Sequence, residues 1–549
     1  MRPFICRLLG GLRAGYPPLP MNTIVTGFRG PQRRLVDLAL SVRFLRSPRF
    51  DVALAGLATL WIIVAVLRAP SWTVDDAWIV ARYAENAVRH GTLSFNASGE
   101  RVEGFTSPLA MVVAVLANAA GAGPIAATKL VGFAATALLP LLAFATAREL
   151  RSPTPAGGIT AIVAASFAEH ATHARSGLET EIYVAAALAT FLGLARALRS
   201  PRAPSGMFAL GASLAAWTRP EGIALAALGA GAIVLARKEA DRRAALKRLA
   251  AGPGAAIAAL FVLRLAYYGS LAPNTYYAKR GTWNAAHARD LVALLDGGVL
   301  DLVLAAGALF VLARIVGARV RRPSPRTERL AGVALLALAL DVLTYARVEP
   351  LMDYARRFAF HGLAAILVLS LGAATIAVRA ARAFARRTSG AGRIGAAAGV
   401  GFALVAAIGH GLGGLAKWRY WTTRYEAVTR SHYVVAAAWI ESNTAPDATI
   451  AVYPDAGIVP YTTKRTTIDF GRLNDRYLAR EAQTPAAVAA YFFARAPEVL
   501  MVSEKSPTAL WDPGADAIVA DPRFQAGYTL VATLTAPLEG TLRLYARKR

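Results

Sequence analysis

Two carboxylates, Asp75 and Asp76, stand side by side in the stretch WTVDDAWIVARYAENAVRHGTLSFNASGERVEGFTSP, residues 72–108. They closely follow the apolar run Val52–Leu67. That run approaches the ~20 residues that cross a bilayer, so the pair is expected at a membrane surface. A carboxylate placed there can take the proton of an attacking hydroxyl. The plainer reading is a helix cap facing the helix dipole. Four further segments are polar where apolar sequence surrounds them: HARSGLETEIY (173–183), AWTRPEGIAL (216–225), YYGSLAPNTYYAKRG (267–281) and VEPLMDYARRF (348–358). Ionisable groups at membrane depth are expensive and tend to face a cavity or a partner. Arg219 and Glu221 read equally well as a structural ion pair at a proline-broken helix. Arg356 and Arg357 fit interfacial anchors, and Tyr267, Tyr268, Tyr276 and Tyr277 an aromatic belt. His170 and His173 are spaced i, i+3 with no third ligand beside them, so no metal site is expected.

The element that positions the acidic pair is an amphipathic helix starting at Ala77. Trp78, Ile79, Ala81, Tyr83, Ala84, Ala87 and Val88 form one face, with Arg82, Glu85, Asn86 and Arg89 on the other. His90-Gly91 ends it, and the helix is expected to lie along the interface. The next apolar run, Leu109–Ala120, is short and bounded by Pro108 and Gly121. Read as a crossing, it would put the Arg-rich loops at 148–153 and 196–206 outside. Read as a non-spanning helix, it leaves every Arg-rich loop inside, which the positive-inside rule favours. Crossings then follow near 125–147, 156–168, 181–195, 206–217, 221–236, 249–267, 299–318, 330–346, 358–378 and 394–416. With the first, that makes about eleven, with the C-terminus and Asp75 both outside.

Composition agrees with a polytopic membrane protein: 56% of the 549 residues are hydrophobic and mean hydropathy is +0.42. A net charge of +27 would point to nucleic acid in a soluble protein. Here 47 Lys and Arg against 21 acids fall in residues 1–419, and 14 against 13 in residues 420–549. The basicity belongs to loops between apolar runs, so it is a topology signal and no nucleic-acid partner is expected. The single cysteine, Cys6, excludes an internal disulfide framework and a cysteine metal site. Three domains are expected: a basic cytoplasmic tail (1–50), a transmembrane domain (51–419) with its first external loop at 69–124, and an outward-facing soluble α/β or α+β domain (420–549). In the last, ATIAVYP (448–454) and PEVLMVS (497–503) read as buried strands around a helical QTPAAVAAYFFARA (483–496). With nearly balanced charge, residues from about 430 onward are expected to fold as a separate water-soluble unit.

The first loop resembles that of membrane glycosyltransferases with a GT-C fold, and most of all the terminal arabinofuranosyltransferase branch of actinobacteria and its relatives. The matching signature runs Asp-Asp-Ala-aromatic, Arg-Tyr-Ala-x-Asn, Gly-x-Leu-x-Phe-Asn, then Val-Glu-Gly-aromatic-Thr-x-Pro-Leu. Further matches are Ser-Gly-x-Glu-Thr at 176–180, Thr-Arg-Pro-Glu-Gly at 218–222, Pro-Asn-Thr-Tyr-Tyr-Ala-Lys at 273–279, an acid followed by an Arg-Phe pair at 353–358, and 453–480. The resemblance implies an inverting transferase of the bacterial plasma membrane, active outside. It would move a sugar, expected to be arabinofuranose or another pentofuranose, from a polyprenyl-phosphate donor to a glycan or lipid acceptor. Asp75 is expected to be the base, with Asp76 orienting the acceptor or capping the helix; the reverse assignment stays open. Arg82, Glu103, Glu179, Arg219, Glu221, Asn274, Tyr276, Lys279, Arg356 and Arg357 are the implied donor- and acceptor-binding residues. A divalent metal is not obligatory, because a phosphomonoester leaving group carries less charge than a nucleoside diphosphate. The rivals are a mannosyl or aminoarabinosyl transferase of the same architecture and, in another class, a secondary transporter; no inverted repeat supports the latter.

Overall fold

Serine, proline and glycine set the ends of the elements around the first loop. Ser47 accepts a hydrogen bond from the Phe50 amide and Pro48 opens the helix Pro48–Arg68. Ser107 and Pro108 do the same for Pro108–Ala119. Gly91, at φ 67°, closes the helix Asp75–His90. The computed structural model describes residues 47–200, 206–295, 298–348, 353–388, 390–506, 509–510, 512–536 and 539–548. The expected basic tail at 1–50 falls almost wholly outside these residues.

Among the described residues five helices are long and apolar enough to cross a membrane: Pro48–Arg68, Pro124–Glu149, Thr180–Ala197, Glu239–Tyr268 and Leu363–Arg387. The bent pair Ala286–Leu295 and Val299–Ile315 would make a sixth. Three other expected crossings are apolar helices of 10–15 residues, Ala156–Ala165, Gly206–Thr218 and Glu221–Leu235. At 1.5 Å per residue they reach about 15–23 Å, short of the ~30 Å hydrocarbon core. Pro108–Ala119, at 12 residues, is also too short to span. The molecule is a polytopic helical membrane protein, with fewer full-length spans among its described residues than the eleven expected.

The helix that holds the expected crossing near 394–416 does not stop near residue 419. Gly390–Val428 runs on through a π-helical turn, Thr429–Val434, into Val435–Asn443. The sequence holds no glycine or proline between Leu415 and Ala445 to interrupt it. Beyond it lies one mixed sheet of six strands: β1 (Thr449–Tyr453), β2 (Thr466–Asp469), β3 (Val499–Ser506), β4 (Ala509–Leu510), β5 (Tyr528–Ala536) and β6 (Glu539–Arg547). The order is β2-β1-β3-β6-β5, with β4 beside β3. β1 pairs in parallel with β2 and β3, whereas β6 pairs antiparallel with β3 and β5.

Strand alternation gives this sheet two apolar faces. Ala451, Tyr453, Leu500 and Val502 pack with Phe470, Phe492 and Phe524 on the outer side. Ile450, Val452, Val499, Met501, Leu542 and Leu544 pack instead against Ile79, Tyr83, Phe95, Phe105, Met111 and Tyr268. The second face is therefore completed by the first loop and by the end of a membrane helix. Polar ties reinforce it. Arg82 donates to the carbonyls of Phe95 at 2.6 Å and Arg465 at 2.8 Å, and also to Pro460. The Asn274 amide donates to the carbonyls of Arg472, Leu473 and Asp475 at 3.0–3.1 Å.

The sequence predicts a separate soluble unit, whereas one face of its sheet shares an apolar core with the first loop. Burying one large aliphatic side chain is worth about 1.5–3 kcal/mol, and residues 430–549 alone would leave a row of them in water. We expect that fragment, expressed by itself, to aggregate or to lack a cooperative melting transition. A monodisperse fragment that melts cooperatively would show that the sheet does not need the first loop.

Candidate catalytic cavity

Adjacent residues on a helix point about 100° apart, and the acidic pair uses that divergence. Asp75 turns inward and is 1% exposed. Its carboxylate accepts from the Gly457 amide at 2.7 Å and the Ile458 amide at 2.8 Å, both in the C-terminal domain. Its own amide donates to the Tyr425 hydroxyl at 3.0 Å. A Cβ on Gly457 would lie 2.0 Å from the Asp75 carbonyl oxygen, so only glycine allows this approach. Burial raises the pKa of the Asp75 carboxyl well above the ordinary value, and the nearby Asp455 adds to the rise, against the two amide bonds. Asp75, the expected base, is thus held in a latch between the first loop and the C-terminal domain.

Asp76 faces the other way, into a cavity. Arg357 donates to its carboxylate at 3.0 Å. The cavity is also lined by Glu179, Arg219 and Lys279, and by the Gly104–Ser107 segment of the first loop. Arg219 is pinned by Glu179 at 2.7 Å, the Tyr345 hydroxyl at 2.6 Å and Glu221 at 3.3 Å. It is therefore both the ion pair that the sequence allowed and a lining cation. Lys279 has no carboxylate within ion-pair distance among the described residues; its ammonium sits 5.2 Å from the centre of the Phe358 ring. Burial, and then the Arg357 charge, lower its pKa to about 8.

Tight turns deliver these side chains. Gly177, at φ 88°, makes the turn before Glu179, and a Cβ there would sit 3.0 Å from that of Ala77. Ala355 and Arg356 both adopt positive φ, 49° and 53°, a costly conformation outside glycine. The turn is held by the His173 ring, 3.1 Å from the Ala355 carbonyl, and it sends Arg357 to the cavity. There the guanidinium lies over the rings of Tyr354 and Phe358.

Of the twelve residues assigned from the sequence, Asp76, Glu179, Arg219, Lys279 and Arg357 line this cavity. The other seven are elsewhere. Glu103 is locked to Arg264 by a bidentate ion pair at 2.9–3.1 Å. Arg82 and Asn274 clasp the C-terminal domain, as described above. Arg356 points away from Arg357 to Glu169 at 3.1 Å. Glu221 accepts from the Tyr345 hydroxyl inside the helix bundle. Tyr276 is 53% exposed at the surface. Asp75 is the latch. Many residues that carry the loop's resemblance are thus scaffold: a Cβ at Gly104 would collide with Asn474 at 1.9 Å. The sequence reading missed Tyr354, Tyr425, Asp455 and Thr275, and weighed His173 only as a metal ligand. No spacing marks the first four; they are single polar or aromatic residues made important by distant partners.

Comparison with known proteins bears on the fold. Residues 419–547 match a family model described as a domain of unknown function, DUF8728. No curated protein matches the chain. ArnT from Cupriavidus metallidurans, solved bound to undecaprenyl phosphate, superposes with a TM-score of 0.55 at 12% identity, over 91% of this chain and 98% of that one. The arabinofuranosyltransferase AftD from Mycobacteria gives 0.51 at 15% identity, over 92% of this chain and 40% of that one. An oligosaccharyltransferase of Archaeoglobus fulgidus, tethered with an acceptor peptide containing the NVT sequon, gives 0.53 at 11% identity, over 90% and 80%. The present chain spans about 40% of the length of AftD. All three neighbours are GT-C fold enzymes, and this chain has the GT-C fold.

Proposed function

We propose that this chain is an inverting glycosyltransferase. It moves a sugar from a polyprenyl-phosphate donor to a hydroxyl of a glycan or lipid acceptor, at the outer face of a bacterial plasma membrane. The observation that carries this reading is the charge pattern of one cavity: the carboxylate Asp76 beside three cations, of which Lys279 lacks an acidic partner among the described residues. Arg357 pairs with Asp76, and Arg219 with Glu179 and Glu221, which leaves Lys279 as the lining cation with no anion in ion-pair contact among the described residues. A phosphate supplies that anion, and charge-assisted bonds to it are the strong kind. The fold shared with a protein solved on undecaprenyl phosphate supports a lipid-linked donor.

In this mechanism the donor phosphate takes up Lys279 and draws on Arg357, freeing the Asp76 carboxylate. Asp76 accepts the proton of the acceptor hydroxyl as that oxygen bonds to the anomeric carbon. The bond from that carbon to the phosphate oxygen breaks on the opposite face. Polyprenyl phosphate leaves with the electron pair, its charge held by the cations, and the configuration inverts. No metal is required, since the leaving group is a phosphomonoester beside three fixed cations. The sugar is proposed to be arabinofuranose or another pentofuranose, from the first-loop resemblance; mannose and aminoarabinose are the competing donors in the test.

Purified protein given labelled polyprenyl-phosphate sugars in EDTA should transfer the pentofuranose. Asp76→Asn keeps the shape, removes the base and should cost about 10²–10⁴ in turnover with the donor still retained. An active Asp76→Asn enzyme, or transfer of mannose alone, would contradict the assignment.

Asp75→Asn should behave differently. An amide cannot accept from both Gly457 and Ile458 without turning its own NH2 toward one of them. We expect a loss of about 1–3 kcal/mol in stability, read as a lower melting temperature. Unchanged melting with abolished turnover would return the base to Asp75.

Donor affinity should also follow pH. Lys279, with its pKa at about 8, is charged below that value and loses its charge as pH rises through it. Binding of polyprenyl phosphate should weaken between pH 7 and 9, and Lys279→Arg should flatten that decline. A flat wild-type profile would remove Lys279 from the phosphate site.

A further inference from the structure

We infer that a ledge of stacked tyrosines and arginines, running from the cavity across the C-terminal domain, is a binding subsite for an acidic saccharide chain. It begins on the short helix Asn274–Ala278. Thr275 and Lys279, one turn apart on this segment, line the cavity, while Tyr276 and Tyr277 turn to the other side. The Arg280 guanidinium lies 5.1 Å from both tyrosine ring centres. Across the domain boundary Arg480 lies over the Tyr277 ring at 4.0 Å.

The ledge continues on the helix Arg476–Arg480, which carries both Arg480 and Tyr477. Tyr477 stacks on Tyr491 at 4.9 Å and 21°, and Arg495 covers Tyr491 from 4.9 Å. The surface is held in shape: Asp475 accepts from the Tyr491 hydroxyl at 2.7 Å and from the Leu478 amide at 2.9 Å. Its preorganisation lowers the entropy lost on binding.

Two features choose the ligand. Arg280, Arg480 and Arg495 each lie against a tyrosine ring with no carboxylate within ion-pair distance among the described residues, and the Arg480 Nε is buried without a hydrogen-bond partner. Guanidinium groups arranged this way fit carboxylate or phosphate. Tyrosine faces exposed between them, Tyr276 at 53% and Tyr477 at 38%, suit the C–H faces of sugar rings. A lipid surface fits less well. Between residues 436 and 529, Tyr477 is the one large hydrophobic side chain exposed among the described residues, and Glu481, Gln483 and Thr484 surround it in water. Under the transfer reading above, on which this role rests, a chain lying along the ledge brings its terminal hydroxyl to Asp76.

The test is binding without donor, so it fails or succeeds apart from the transfer assay. Full-length protein in neutral detergent is titrated with oligogalacturonate and with the same oligomer as its uncharged methyl ester. The acidic oligomer should bind at least about tenfold tighter than the ester, as expected for one charge-assisted bond. The double variant R280Q/R480Q should bring the two to the same affinity with its melting temperature unchanged. Arg495→Gln, at the exposed far end, gives the same reading, a smaller but definite loss, if the double variant misfolds. Equal binding of acid and ester, or no binding of either, would overturn the proposal. So would variants that lose affinity for phosphatidylglycerol vesicles while keeping the oligomer, which would make the ledge a headgroup contact.

Discussion

The structure depends on one buried carboxylate gripped by two backbone amides. Asp75 belongs to the first loop, Gly457 and Ile458 to the C-terminal domain, and the bonds between them are 2.7 and 2.8 Å long. A buried carboxyl is costly unless its oxygens are hydrogen-bonded, and the two amides satisfy them only while the two parts stay docked. Because the next residue on the helix points about 100° away, fixing Asp75 also fixes the direction of Asp76. The C-terminal domain thus aims the group that faces the cavity through a residue, Asp75, that does not itself line it. The helix running unbroken from 390 to 443 and the core shared by Ile450, Val452, Ile79 and Tyr83 make the same junction rigid.

Around Asp76 each guanidinium is answered from within the protein: Glu179 and Glu221 pair with Arg219, and Asp76 pairs with Arg357. Lys279 has no acid in ion-pair contact among the described residues, and under the proposed reaction it meets the donor phosphate. The strained Ala355–Arg356 turn and the Gly177 turn are where the chain departs from easy backbone geometry. Strain of this kind collects where side chains must be delivered to one place. The cavity is a junction of the first loop with the segments that carry Glu179, Arg219, Lys279, Arg357 and Leu473.

Much of this was legible in the sequence. The apolar runs, the non-spanning Pro108–Ala119 helix, the amphipathic helix at the acidic pair and the strand-bearing C-terminal region all follow from periodicity and punctuation. The four polar segments also proved to meet. Less legible was which member of each pair does what. Asp75 and Asp76 are identical in type, as are Arg356 and Arg357, and only a distant partner separates them: Gly457 takes one aspartate and Glu169 takes one arginine. Motif residues such as Arg82, Glu103 and Asn274 looked like ligands because scaffold and site residues share the same loops. The core that the C-terminal sheet shares with the first loop was hidden for a related reason, since a two-faced apolar strand looks the same whether its second cover lies in its own domain or in another.

Everything in the proposed reaction turns on which aspartate meets the donor, and a structure of the protein with a non-transferable polyprenyl-phosphate sugar tests that most directly. The phosphate should lie against Lys279 and Arg357 with the anomeric carbon facing Asp76, and Asp75 should still be held by the amides of Gly457 and Ile458. A phosphate bound away from these cations, or Asp75 released from the latch and turned to the anomeric carbon, would contradict it.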